Sequence, residues 1–222
     1  MIHHSHPDGG RQNYFGIYPA IVTDLVDSEK LGRIEVKFPW LGTDGENEVR
    51  SWATLMSPYA DDSQGLQILP EKDSQVVVAF EAGDIRRPYI LGSCWNGQES
   101  LPESPEKANN IRLLKTRSGH ELIFDDTSGS TRVTLKTTGG HTLELDDAGP
   151  EISLKQSTGS SIVFRASGTI EINGNAGVDI NAPVFNVHSA ATNCDGLVNC
   201  TTAIMSTACS APLYTPGAGN IW

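Results

Sequence analysis

Residues 118–126 read SGHELIFDD and residues 139–147 read GGHTLELDD. Successive side chains of an extended chain point to opposite faces, so Leu122 and Phe124 share one face while Glu121, Ile123 and Asp125 share the other. Leu143 and Leu145 repeat the arrangement at an offset of 21 residues. Each phrase predicts a strand followed by an Asp-Asp turn.

The repetition tightens downstream. Leu154, Ile162, Ile170 and Val178 are spaced by eight, as are Phe164, Ile172 and Ile180, with Gly159, Gly168, Gly174 and Gly177 between them. That is an octad of strand plus turn. At Pro183 the register slips by one, and Phe185 and Val187 resume it. One such unit supplies two or three apolar side chains from a single short strand, too few to offset the roughly 1–2 kcal/mol of backbone entropy lost per ordered residue. A rung completed by one chain typically needs about 20 residues or more. Three identical chains could each supply one side of a triangular rung. The pattern therefore predicts a homotrimer, with Leu154, Ile162, Phe164, Ile170, Ile172, Val178 and Ile180 as the core along a shared axis.

The rest of the chain is consistent with an all-β protein, since 22 glycines and 12 prolines in 222 residues favour short strands and turns. From Tyr14 to about Trp95, short apolar runs are separated by Gly, Pro and Asp. In GRIEVKFPW, Ile34, Val36 and Phe38 alternate with Arg33, Glu35 and Lys37, and QVVVAFEAGD reads as a more fully buried strand. About five strands in eighty residues suggest a small closed barrel of the OB type. Residues 96–110, NGQESLPESPEKANN, form a linker. The expected layout is a tail over 1–13, an OB barrel over 14–95, the linker, a triple-stranded, intertwined β-helix needle over 111–211 and a tip segment over 212–222.

A formal net charge of −11 makes phosphate backbones poor partners, so no nucleic-acid role is expected. MIHHSHPDGG lacks the basic-then-apolar pattern of a signal peptide, and no 18-residue apolar run exists. Assembly in the bacterial cytoplasm without a signal peptide is the expectation. The cysteines at 94, 194, 200 and 209 match no zinc spacing and are expected to be small, buried and reduced.

These residues resemble a family. GIYPAIV, GRIEVKFPW, SWATLMSPYA, LPEKDSQVVVAFEAGD and RRPYILGSCWNG are similar to the N-terminal OB-fold of phage baseplate spike proteins, the baseplate V and VgrG-like group. LLKTRSGHELIFDDTSGSTRVTLKTTGGHTLELDD resembles the entry into that family's trimeric β-helix, and YTPGAGNIW resembles the terminal segment of small contractile-injection spikes. The resemblance covers about residues 14–222. It implies a structural, non-enzymatic central spike of a contractile injection system, part of a phage tail-like particle or virion that can be released extracellularly. Such a spike sits beneath a baseplate hub and tube, carries a PAAR-type tip protein at its far end and meets a target membrane only transiently on firing. Gly32, Arg33, Phe38, Pro39 and Trp40, with Pro70, Glu71, Phe80, Gly83, Asp84, Arg87 and Pro88, fall on the family's barrel motifs as structural positions. Larger phage spikes insert a lysozyme domain where this chain has only the linker. VgrG proteins carry a long hub region ahead of the barrel where this chain has thirteen residues, so the hub is expected to be a separate polypeptide.

Asp125–Asp126 and Asp146–Asp147 could bind a cation, but adjacent strand residues point opposite ways, which favours turn capping. His120 and His141 read as strand-start residues making turn hydrogen bonds. His3, His4 and His6 lie in a polar tail. His188 is the candidate for an axial metal, because a trimer presents three copies of it, although the paired His-x-His of some phage spikes is absent. No cofactor is otherwise expected. The final APLYTPGAGNIW cannot continue the octad, and Tyr214, Pro216, Gly217, Gly219, Ile221 and Trp222 are the candidate tip-binding residues. No GxSxG, HExxH or P-loop appears. The alternative reading is a tailspike-like β-helix adhesin or polysaccharide-degrading enzyme, which predicts acidic and aromatic residues clustered in an outward groove.

Overall fold

The computed structural model describes residues 13–44, 47–204 and 206. Contacts divide the chain into two compact units between Asn175 and Ala176. The first contains a barrel and a sheet. Its strands are β1 (Ile17–Asp24), β2 (Arg33–Lys37), β3 (Thr43–Asp44), β4 (Asn47–Glu48), β5 (Arg50–Leu55), β6 (Ala60–Asp61), β7 (Gln64–Gly65), β8 (Gln75–Phe80) and β9 (Pro88–Ser93). After them come β10 (Ile111–Lys115), β11 (Glu121–Asp125), β12 (Arg132–Lys136), β13 (Thr142–Asp146), β14 (Glu151–Lys155), β15 (Ser161–Phe164) and β16 (Ile170–Asn173). Residues 94–110 contain no strand.

The barrel closes in the order β1-β2-β5-β9-β8, with β8 returning to pair with β1. The alternation in GRIEVKFPW puts Ile34, Val36 and Phe38 inside, where they pack with Ala20, Val22, Ala53, Val76, Val78, Phe80 and Ile90. Burying each of the larger side chains contributes roughly 1.5–3 kcal/mol. β8 alternates too: Val76, Val78 and Phe80 are buried, whereas Gln75, Val77 and Ala79 are half-buried. The apolar run there reflects a strand whose outer face is only partly covered. Tyr18 stacks on Trp40 at 4.6 Å between ring centroids, and Trp40 Nε1 donates to the Pro19 carbonyl at 2.9 Å.

Two of the motif positions have identifiable work. Asp27, 8% exposed, accepts from Arg33 Nε at 2.8 Å and Nη2 at 3.0 Å and from the backbone N–H groups of Glu29 and Leu31. Arg33 holds the Asp27 carboxyl well below the usual carboxylate range, with the two N–H groups adding to the effect, while Asp27 pushes the guanidinium further up. This pair fixes the loop between β1 and β2. Gly83, at φ +78°, accepts from the Tyr14 N–H at 2.9 Å, and a Cβ there would meet Tyr14 N at 3.1 Å.

The sheet is a seven-stranded antiparallel meander in sequence order, β10 to β16. SGHELIFDD and GGHTLELDD are β11 and β13 with their flanking turns, and β12 lies between them. The 21-residue offset is thus one full hairpin. At one edge the turns recur: Gly119 N–H bonds the Thr116 carbonyl at 2.9 Å, Gly140 the Thr137 carbonyl at 3.0 Å and Gly159 the Gln156 carbonyl at 3.0 Å. Each of these glycines has positive φ, 86°, 84° and 109°, a conformation other residues adopt only at a cost. His120 Nδ1 accepts from Thr138 N–H and His141 Nδ1 from Ser157 N–H, both at 3.3 Å, so each imidazole links one turn to the next turn on that edge. At the other edge Asp125 and Asp146 accept from Thr127 and Ala148 N–H at 2.9 Å, which is the capping role read from the sequence.

The second unit, described through residue 204 and at 206, contains no strand among its described residues.

Candidate functional site

Strand register sorts the sheet into rows. On one face Leu114, Leu122, Leu135, Leu143, Leu154, Ile162 and Ile172 lie directly across from one another in succession. Beside them runs Phe124, Val133, Leu145, Ile152, Phe164 and Ile170, headed by Arg112, whose guanidinium turns back to Asp126 at 2.7 Å. Thirteen apolar side chains therefore form two unbroken ladders on one face. In the single chain most of them are a third to two thirds exposed: Leu154 51%, Phe164 45%, Ile172 60%.

The other face mixes apolar, polar and charged side chains. Its middle row is Leu113, Ile123, Thr134, Glu144, Ser153, Val163 and Glu171. Ser153 and Val163 are buried there, at 2% and 4%. Charged pairs span the flanking rows: Lys115–Glu121 at 2.8 Å, Arg132–Asp125 at 3.4 Å, and Arg165 bound to both Glu151 at 3.0 Å and Glu171 at 2.7 Å. Lys115 lowers the Glu121 carboxyl and Arg165 lowers that of Glu171. The Thr127 hydroxyl and N–H, with Arg132, lower Asp125. One face is thus knitted by ion pairs around the buried Ser153 and Val163, and the other is apolar and without cover in the single chain.

Five of the seven predicted axial residues, Leu154, Ile162, Phe164, Ile170 and Ile172, lie on that apolar face, with one difference in grouping. Leu154 pairs with Ile162 as the octad suggests, but Ile162 then pairs with Ile172, and Ile170 pairs with Phe164. Reversal at each hairpin sets the early position of one strand against the late position of the next, so the eight-residue rows cross over. Val178 and Ile180 lie beyond the last strand and are 54% and 60% exposed. His188 is exposed in the same unit. Among the described residues no group of three or more His, Cys, Asp or Glu is placed to hold a metal within one chain. Cys94, Cys194 and Cys200 are free and exposed in the single chain rather than buried. Tyr214, Pro216, Gly217, Gly219, Ile221, Trp222 and Cys209 lie outside the described residues, as do His3, His4 and His6. The sequence reading missed Leu114 of β10, Val133 and Leu135 of β12 and Ile152 of β14, which complete the ladders. For Val133 and Leu135 the signal was the alternation in RVTLK, midway between the two quoted phrases.

Residues 18–95 match the type VI secretion system/phage-baseplate injector OB domain, and residues 110–192 match the phage baseplate V C-terminal trimerisation domain. Among curated relatives, the type VI secretion system spike protein VgrG3 of Vibrio cholerae is 28% identical over 113 residues, covering 48% of this chain and 11% of the relative. Spike protein VgrG1b of Pseudomonas aeruginosa is 26% identical over 130 residues, 54% of this chain and 17% of the relative. The protein named actin cross-linking toxin VgrG1 of Vibrio cholerae is 29% identical over 110 residues, 47% of this chain and 10% of the relative. The matched stretches span between a tenth and a fifth of these relatives' length.

Proposed function

The chain belongs to the phage baseplate V family, with an injector OB domain followed by a trimerisation domain, and from that premise we propose that it is the structural central spike of a contractile injection baseplate. The observation that carries the reading is the uncovered pair of apolar ladders on a sheet whose opposite face is already ion-paired. Three copies turning those ladders toward one axis bury them together, and a prism of paired strands with a continuous core is stiff along its length. Stiffness is what a device needs if it is to transmit the force of a contracting sheath and puncture an envelope.

In this reading the barrel end meets a separate hub polypeptide, and the distal end, through Tyr214, Pro216, Gly217, Gly219, Ile221 and Trp222, receives a PAAR-type tip protein. The role is non-enzymatic in this reading: two of the three named relatives are spike proteins, and the toxin activity in the third one's name belongs to a protein of which this chain matches a tenth. Assembly in the bacterial cytoplasm into a phage tail-like particle, and an axial metal held by three copies of His188, belong to the same proposal.

Light scattering on the purified chain tests the core of it, with a mass three times that of the chain as the expected result and a stable monomer as the refuting one. Deleting residues 212–222 tests the tip assignment. Tip-protein binding is expected to be lost while the trimer persists, and unchanged tip binding would count against those residues.

A further inference from the structure

Strand pairing places Asp24 near Glu35, Arg33 opposite Thr54, Leu55 beside Ile90 and Val76 opposite Ser93, so the loops after β1, after β5 and before β8 share one end with the exit of β9. The chain leaves for the sheet from this end. There the Glu71 carboxylate accepts from Arg117 Nη1 at 3.0 Å, across from the β10–β11 turn.

The segment between Leu55 and Gln75 emerges at the same end and builds an arm around the β6–β7 hairpin. Polar contacts hold its shape. Leu66 N–H donates to the Tyr59 carbonyl at 2.9 Å, the Tyr59 hydroxyl donates to Gln64 Oε1 at 2.8 Å, and the Ser57 hydroxyl lies 2.9 Å from the Leu66 carbonyl. Gly65, at φ +144°, closes the hairpin where a Cβ would stand 2.6 Å from the Tyr59 carbonyl oxygen. The arm is therefore fixed in shape without an apolar core of its own. Meanwhile Met56, Tyr59, Leu66 and Ile68 are each more than half exposed, and Leu69 is 43% exposed.

We infer that this arm docks on a neighbouring copy of the same chain, extending the contact between copies from the sheet up to the barrel. The inference rests on the trimer reading above. Two observations choose a second copy over a separate protein. The arm's root is tied through Glu71 and Arg117 to the turn that follows β10, and β10 supplies Leu114, the first rung of an apolar ladder, so the arm's root lies beside the end of that ladder. The arm is also small. Five half-exposed side chains offer about 400 Å², the size of patch a monomer tolerates, whereas a stable partner typically requires about 800 Å² per side. Such a patch cannot hold a separate protein by itself, but it can add to a contact that the sheet already holds.

Photo-crosslinking tests this on the full chain with no other protein present. With benzoylphenylalanine in place of Ile68, irradiation is expected to yield a covalent two-chain species. In parallel, amides of residues 56–69 are expected to exchange roughly tenfold more slowly in the wild-type trimer than in a Phe164→Asp variant that cannot associate. A trimer by light scattering that gives only intrachain product and no added protection overturns the arm inference alone. Protection that appears only after a hub polypeptide is added overturns it as well and assigns the arm to the hub. A monomeric wild-type chain is seen directly as mass, and it removes the trimer reading and this inference together.

Discussion

Phe164 gives the sharpest test of the apolar ladders. It lies between Ile152 and Ile170 and is 45% exposed in the single chain. A phenylalanine side chain buries roughly 200 Å², so covering the exposed part removes about 90 Å² from water and contributes about 2 kcal/mol at 25 cal/mol per Å². Three copies meet in each trimer, so Phe164→Ala is expected to weaken association by about 6 kcal/mol, roughly four powers of ten in the association constant. A dilution series followed by sedimentation or light scattering reads this directly, as dissociation at concentrations where the wild type remains trimeric. Lys155→Ala, on the ion-paired face, serves as the control and is expected to leave the series unchanged. The reasoning fails if Phe164→Ala and Lys155→Ala dissociate alike, or if Phe164→Ala unfolds the barrel without altering the mass at any concentration.

Three further outcomes follow from individual contacts. Because Arg33 depresses the Asp27 carboxyl, its contribution to barrel stability is fully present above the ordinary value of 3.8 and is lost as pH falls toward the lower folded-state value; Asp27→Asn is expected to flatten the acid limb of a denaturation-versus-pH curve, and an unchanged limb would contradict the loop-lock role. Gly65→Ala forces a Cβ against the Tyr59 carbonyl at a positive φ, at a cost of about 1–3 kcal/mol; limited proteolysis is expected to cut within residues 57–66 faster than in the wild type, while the barrel stays intact. His188→Ala is expected to remove any metal that copurifies with the trimer, measured by elemental analysis, and metal retained in that variant would place the ion elsewhere.

Much of the architecture could be read from local alternation, because alternation is a property of the backbone that no partner alters. Ile34, Val36 and Phe38 went inside the barrel and Leu122 with Phe124 to one face of the sheet, as their spacing required. Row membership was harder to read. Ile170 and Ile172 exchange places relative to the octad because hairpin direction, rather than spacing, decides which residues stand opposite each other. The Arg33–Asp27 lock was equally hidden: the resemblance flagged Arg33, but nothing in the order of residues says that the carboxylate six positions earlier folds back onto it. The exposed arm around Gly65 was also illegible, since its apolar residues follow no period and the hairpin is defined by polar contacts.

The nearest-neighbour order of the sheet also sets a sequence of events in time. Every strand from β10 to β16 pairs only with the strand before or after it, across a turn of a few residues. Such contacts close on the microsecond scale of hairpins and need no second molecule to begin. The described residues from 176 onward form no strand within their own chain, and in the proposed trimer any pairing they make is with another copy. On that reading maturation is expected to run from the head of the polypeptide to its tail, like a zip that can be drawn from one end only. Pulse-labelled exchange should show the meander protected independently of protein concentration and the distal segment protected in proportion to it.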